Sequence, residues 1–398
     1  MLQPHEAKKT NTVNTFFTIS LILTPVLECY QSPLSSMNMA TFLMMPLFVL
    51  LVLKKIVLKK SVTGEHLPII LLLYPFLILL NLVATNTLAT DYVTYFRSLL
   101  WFFTVFVFGR FCYTENGFFG LYRKIILVAS VLIIIQGFAD YLLGHPFKIW
   151  IPSMLRTESY LESSEDLYRP CAFYLEPAHF SQSAILYLSY IIFGIRAKHD
   201  YRPQLKEILF VSVAIIISGS GQGYIYLGLL YSFWVLKMLK ERSSGKMITL
   251  FVLSSLILVF LLLNTSIGQY ALSRILPSDE YGVGGKALAG RTYGFTVLET
   301  LKQSQVWMGV GAYSASKYTE AYLTSYISTL FTLGILGLIY YTILVLYFFR
   351  KGAPYTKVFM ILYSIMFSVA SVTNISSIAF FLYPLVNSLN TYRDEFDN

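Results

Sequence analysis

Charged residues are scarce in this chain. Asp, Glu, Lys and Arg make up 13% of its 398 residues, about half the share a soluble globular domain carries. The deficit is concentrated: neither 247–268 nor 321–349 contains a single charge. An apolar run of about 20 residues is long enough to cross a hydrocarbon layer as a helix. A soluble enzyme and a disordered chain are therefore excluded. Cysteine is scarce too, and three residues do not make a disulfide scaffold. Cys112 falls on the expected cytoplasmic side. Cys29 and Cys171 fall near the outer side, where they can pair or stand as isolated thiols. The sequence shows no internal repeat, no low-complexity tract and no small-residue cleavage site after its first apolar run, which is expected to remain as an uncleaved helix.

What is present is a series of apolar spans, at 13–32, 38–53, 67–84, 92–112, 121–143, 173–195, 205–219, 221–239, 247–268, 321–349, 355–373 and 375–390. The expected fold is a single all-α integral membrane domain over 1–398, with about 12 transmembrane helices. Of the 30 Lys and Arg, 21 fall before the first span, in alternate connections or after the last span, among them Lys54, Lys55, Arg110, Arg123, Lys237 and Arg350. The connections at 33–37, 85–91, 218–222 and 373–378 have none. The positive-inside rule then places both termini in the cytoplasm. A net charge of +9 suggests nucleic acid in a soluble protein. Here orientation accounts for most of it, and no nucleic-acid partner is expected.

The remaining nine basic residues are clustered. Arg97 lies inside the fourth span. Lys148, Arg156 and Arg169 belong to an outer loop at 144–172, and Arg274, Lys286, Arg291, Lys302 and Lys317 to a longer one at 269–320. Long loops are translocated regardless of charge, which is one account; the other is that these residues meet an anion. Loops of this length in a compact protein are commonly functional. In the second loop, Ser278–Gly290 reads as irregular. Arg291–Gln305 carries Phe295, Leu298 and Leu301 at helical spacing and reads as a short helix lying over the membrane face, ended by Gly309–Gly311.

Glu176-Pro177-Ala178-His179 carries the clearest chemical signal. Pro177 suits the first position of a helix, which puts Glu176 at its N-cap, where helix polarity favours an anion. A carboxylate at the mouth of a membrane span is costly unless it is paired or faces a wet cavity. His179, three residues on, shares its face. Glu176 can act as general base with His179 as partner or substitute. Alternatively Glu176 caps the helix and pairs with Arg169 while His179 packs in the bundle. A metal site would need further ligands; no metal and no cofactor is expected.

Arginine supplies the second signal. Arg97, Arg156, Arg169, Arg274 and Arg291 are guanidinium groups suited to bidentate contact with phosphate oxygens. Glu158, Glu162, Glu165 and Asp166 offer plain ion pairing instead. Tyr281, Tyr293 and Tyr313 can stack on sugars, although a membrane-interface belt also explains abundant tyrosine. The hairpin Ser218-Gly219-Ser220-Gly221-Gln222-Gly223 permits close helix packing, and its amides can also meet a phosphate.

Taken together, Arg-Pro-x-x-Phe-x-x-Glu-Pro entering a span at 169–177, Ser-Gly-Ser-x-x-Gly at 218–223, and Gly290-Arg291 opening a segment that closes on Gly309-x-Gly311 resemble the bacterial O-antigen and capsule polymerases called Wzy. The family's Arg-x15-Gly spacing is met by Arg274 and Gly290. From Arg156 and Arg169 that spacing leads to Ala172 and Ile185 instead. The resemblance implies a glycosyltransferase of the inner membrane. On the outer face it would join undecaprenyl-pyrophosphate-linked oligosaccharides, with membrane lipid and a chain-length regulator and flippase of the same pathway as partners. It implies Glu176, then His179, as the base, and Arg97, Arg156, Arg169, Arg274, Arg291 and Tyr293 as contacts to pyrophosphate or glycan. The rival readings are an O-antigen ligase, disfavoured because no His follows His199, and a lipid-linked oligosaccharide flippase.

Overall fold

The computed structural model describes residues 12–34, 37–57, 67–143, 170–174, 176–194, 205–240, 293–319, 323–370 and 375–394, with residues 249 and 264. Peptide groups in a bilayer find no water, so apolar runs close their hydrogen bonds internally as helices. In chain order these are α1 (Thr12–Ile22), α2 (Thr24–Leu27), α3 (Met39–Val57), α4 (Ile69–Ala84), α5 (Leu88–Phe102), α6 (Glu115–Leu143), α7 (Pro177–Phe193), α8 (Leu205–Ile217), α9 (Gly221–Lys240), α10 (Ser325–Lys351), α11 (Pro354–Val369) and α12 (Ile375–Asp394). A π-helical stretch, Phe103–Phe108, and a 3-10 turn, Gly109–Cys112, prolong α5. Among the described residues four helices are long and apolar enough to cross a membrane: α3 over Met39–Ile56, α5 with its extension to Cys112, α6 over Glu115–Ala139, and α10. Shorter apolar helices cover Thr12–Ile22, Ile69–Ala84 and Ile375–Leu389. The expected span at 247–268 lies outside the described residues.

The surface supports the membrane reading independently of helix length. Ile56, Ile69, Phe76, Phe138, Leu142 and Leu236 are each at least 59% exposed. Apolar side chains displayed in that number around a helical bundle call for lipid as solvent. Inside, α7 is the central helix. It packs against α6, α8, α9 and α11, and every residue from Phe180 to Ser189 is buried. Tyrosine proves to be a core residue as much as an interfacial one. Tyr122, Tyr174, Tyr226, Tyr355, Tyr363 and Tyr383 are fully buried. Tyr122 and Tyr383 donate to backbone carbonyls, of Ser183 at 2.7 Å and of Gly109 at 2.9 Å.

The bundle has two dissimilar ends. The basic end carries Lys54, Arg110, Arg123, Lys237 and Arg350. It also holds an ion pair between the half-exposed Arg123 and the buried Glu207, a partnership that a count of basic residues does not reveal. Arg123 donates through Nε and Nη2 to both oxygens of Glu207 at 2.8–3.0 Å, and Tyr187 donates to the same carboxylate. The loop end carries the turns around 85–87, 170–176 and 218–220 and the docked part of the second long loop. There the expected helix over Arg291–Gln305 is shorter than its periodicity suggests. Helical geometry covers 293–298, and a separate 3-10 turn follows at Gln303–Gln305. The interruption has a packing cause: Val297, Leu298 and Leu301 turn onto Val310, Leu323, Ile327 and Phe331, while Lys302 is extended.

Candidate functional site at the loop end

Glu176 and Pro177 stand where the sequence puts them. Pro177 opens α7, and Glu176 is the N-cap residue, extended at φ −132° and ψ 149°. Its carboxylate makes no capping hydrogen bond. The backbone carbonyl of Glu176 accepts from His179 N–H at 3.1 Å, so the first turn is formed and His179 lies directly behind the cap. His179 is half-buried, and its Nδ1 is enclosed with no hydrogen-bond partner among the described residues. A buried ring nitrogen without a partner is unusual and marks a position that a ligand or water can complete.

The same face continues one turn further to Gln182, whose amide reaches Gln222 Oε1 at 3.3 Å. Tyr226 donates to that oxygen, also at 3.3 Å. The helices α7 and α9 therefore begin side by side. A Cβ on Gly223 would stand 2.5 Å from Ser181 Oγ, so only glycine allows this approach. Ser220 Oγ accepts from the Gly223 N–H at 3.2 Å and caps α9, and Ser218 and Ser220 are buried. The hairpin is thus a packed, capped turn.

What fixes the entrance of α7 is a residue the sequence reading passed over. Gln136, buried in α6, accepts at Oε1 from the backbone N–H of Cys171 at 3.2 Å and of Ala172 at 2.7 Å. Ala172 is left-handed at φ 53°, a conformation that needs such support in a non-glycine residue. Across the loop end Asn81 does the same for the second loop. It is fully buried in α4 and accepts from Ala312 N–H at 2.7 Å, while its Nδ2 donates to the carbonyls of Met308 and Thr332. A lone amide in an apolar run was the available signal in both cases.

The second loop is clamped further along. Lys317 Nζ meets Asp91 Oδ1 at 2.9 Å, Ser314 donates to Asp91 Oδ2 at 3.1 Å, and Tyr313 shares a hydrogen bond with Ser98 at 2.7 Å. The anion met by Lys317 is therefore the chain's own Asp91, which is buried. Tyr293 is 61% exposed. Arg97, half-buried on α5, lies about 9 Å below Asp91 along the helix. That helix packs with α3, α4 and α12, so the geometry joins Glu176 to His179 and sets Arg97 among other neighbours. Arg156, Arg169, Arg274, Arg291 and Tyr281 lie outside the described residues. No disulfide joins Cys29, Cys112 and Cys171 to one another. No group of three or more His, Cys, Asp or Glu able to hold a metal occurs among the described residues. No family model matches this chain, and no curated protein matches it in sequence.

Proposed function

We propose that this chain is a polysaccharide polymerase of the inner membrane that joins undecaprenyl-pyrophosphate-linked repeat units at its loop end, the outer face. About 12 spans with both termini in the cytoplasm complete the reading. The observation that carries it is the head of α7: a carboxylate with no capping bond and an enclosed imidazole nitrogen with no partner among the described residues, one turn apart at the start of a helix buried from Phe180 to Ser189. Glu176 takes the proton of the attacking sugar hydroxyl, and His179 is the second choice for that role. The hydroxyl oxygen bonds to the anomeric carbon of the growing glycan as the bond from that carbon to pyrophosphate breaks. The lipid pyrophosphate leaves with the electron pair, and Arg97, Arg156, Arg169, Arg274 and Arg291 are the guanidinium groups assigned to its charge.

One observation favours a second reading. α10 contains a non-helical residue at Gly334, and broken membrane helices are common where transporters bind cargo. A flippase for the same lipid-linked oligosaccharide is therefore the alternative. Purified protein in liposomes supplied with lipid-pyrophosphate repeat units separates the two. A ladder of glycan lengths is expected; transfer of the lipid between leaflets with no ladder would replace the polymerase by the flippase.

A further inference from the structure

The segment 306–312 does not lie over the loop end but is bonded into the break in α10. Ile335 and Leu336 donate their N–H groups to the carbonyls of Val306 and Trp307 at 3.0 and 3.3 Å. In return Val310 and Gly311 donate to the carbonyls of Phe331 and Thr332 at 2.9 and 3.1 Å. The two chains meet through glycines. Gly334 (φ 65°) would place a Cβ 2.3 Å from the carbonyl carbon of Trp307, and Gly309 (φ 70°) would place one 2.4 Å from that of Thr332. The backbone groups that a broken membrane helix leaves unpaired are thus satisfied by the loop, as a low-dielectric setting demands.

Two rulers give the depth of this seam. Leu336 stands fourteen residues from Arg350, about 21 Å along α10, against a hydrocarbon thickness of about 30 Å. Asn81, which holds Met308, lies three residues inside the end of α4, about 5 Å down. Both place 306–308 roughly 5–9 Å within the hydrocarbon edge. Exposure at that depth is exposure to lipid. Leu336, Ile339, Ile343 and Leu346 recur at helical spacing, and the last three are 45–53% exposed, forming a lipid-facing stripe along α10. Trp307, 59% exposed, sits on top of that stripe through its bond to Leu336.

We infer that 306–312 is a re-entrant segment of the second long loop that inserts Trp307 into the acyl chains of the membrane lipid at the loop end. The tryptophan sits just beneath the headgroups, the depth its ring prefers. The inference needs the membrane and does not depend on the polymerase reading. The test is tryptophan quenching of the full chain in liposomes whose lipids carry bromine either near the carbonyl end or near the methyl end of the acyl chains. Trp101 and Trp234 are buried in the bundle and Trp150 is common to both proteins, so the difference between the unmodified chain and W307F isolates the contribution of Trp307. Loss of quenching in W307F, larger for bromine near the carbonyl end, is expected, and W307F/V306W should regain it. Equal bromolipid quenching with and without Trp307, or a Trp307 contribution quenched by aqueous iodide instead, would overturn the insertion.

Discussion

The side-chain oxygen of Gln136 and the backbone N–H of Ala172 are 2.7 Å apart, and this bond ties the C-terminal third of α6 to the residue that turns the chain toward Glu176. Removing it should be felt in both stability and activity. In Gln136→Leu two buried N–H groups lose their acceptor, at about 1–3 kcal/mol each. The expected result is a lower thermal midpoint in detergent together with shorter glycans. Gln136→Glu, which keeps an acceptor oxygen, should retain more of both.

Glu176→Gln keeps the size and position of the N-cap side chain and removes its basicity. Under the proposed chemistry polymerisation should fall by a factor of about 10²–10⁴, read as collapse of the glycan ladder to single repeat units with membrane insertion intact. A normal ladder in this variant would exclude Glu176 as the base and move attention to His179.

Arg169→Ala and Arg291→Ala should leave insertion unchanged and abolish long chains, because a departing pyrophosphate then lacks a guanidinium partner. Long-chain products from both variants would sink the phosphate assignment.

Arg123→Ala leaves the buried carboxylate of Glu207 without its half-exposed cation and with Tyr187 as a remaining donor, and should cost about 1–3 kcal/mol. The double variant Arg123→Gln/Glu207→Gln should be markedly more stable than Arg123→Ala. Unfolding in detergent measures both. Equal stability of Arg123→Ala and the unmodified chain would mean that the pair contributes nothing.

Gly334→Ala asks an L residue to adopt φ 65°, ψ −161° with its Cβ inside the backbone of Trp307. Strain of about 1–3 kcal/mol from the dihedral alone, with the clash added, should lower the yield of folded protein. Pulse-labelled membrane fractions report it directly.

Sequence patterning reaches the helices well and their cross-links poorly. Pro177 and Glu176 announce the start of α7 through local chemistry alone, so both were legible to the residue. Four of the apolar runs become helices of full membrane-crossing length for the same local reason. The partnership of Arg123 with Glu207 spans 84 positions and that of Gln136 with Ala172 spans 36, and neither has a periodic or compositional trace. Periodicity overextends the helix over 293–298 because Leu301 fits its period, although that leucine packs from outside the helix. Asn81 and Gln136 interrupt apolar runs visibly, but an amide in such a run does not announce which backbone it will hold.

Asn81 and the carbonyl it binds at Met308 are separated by 227 positions. During synthesis α4 is therefore made with an amide whose partners do not yet exist. Closing the seam belongs to the last stage of biogenesis, after α10 has been made. Chains interrupted before that point carry this amide unsatisfied in an apolar helix, at about 1–3 kcal/mol for a buried polar group without its partner.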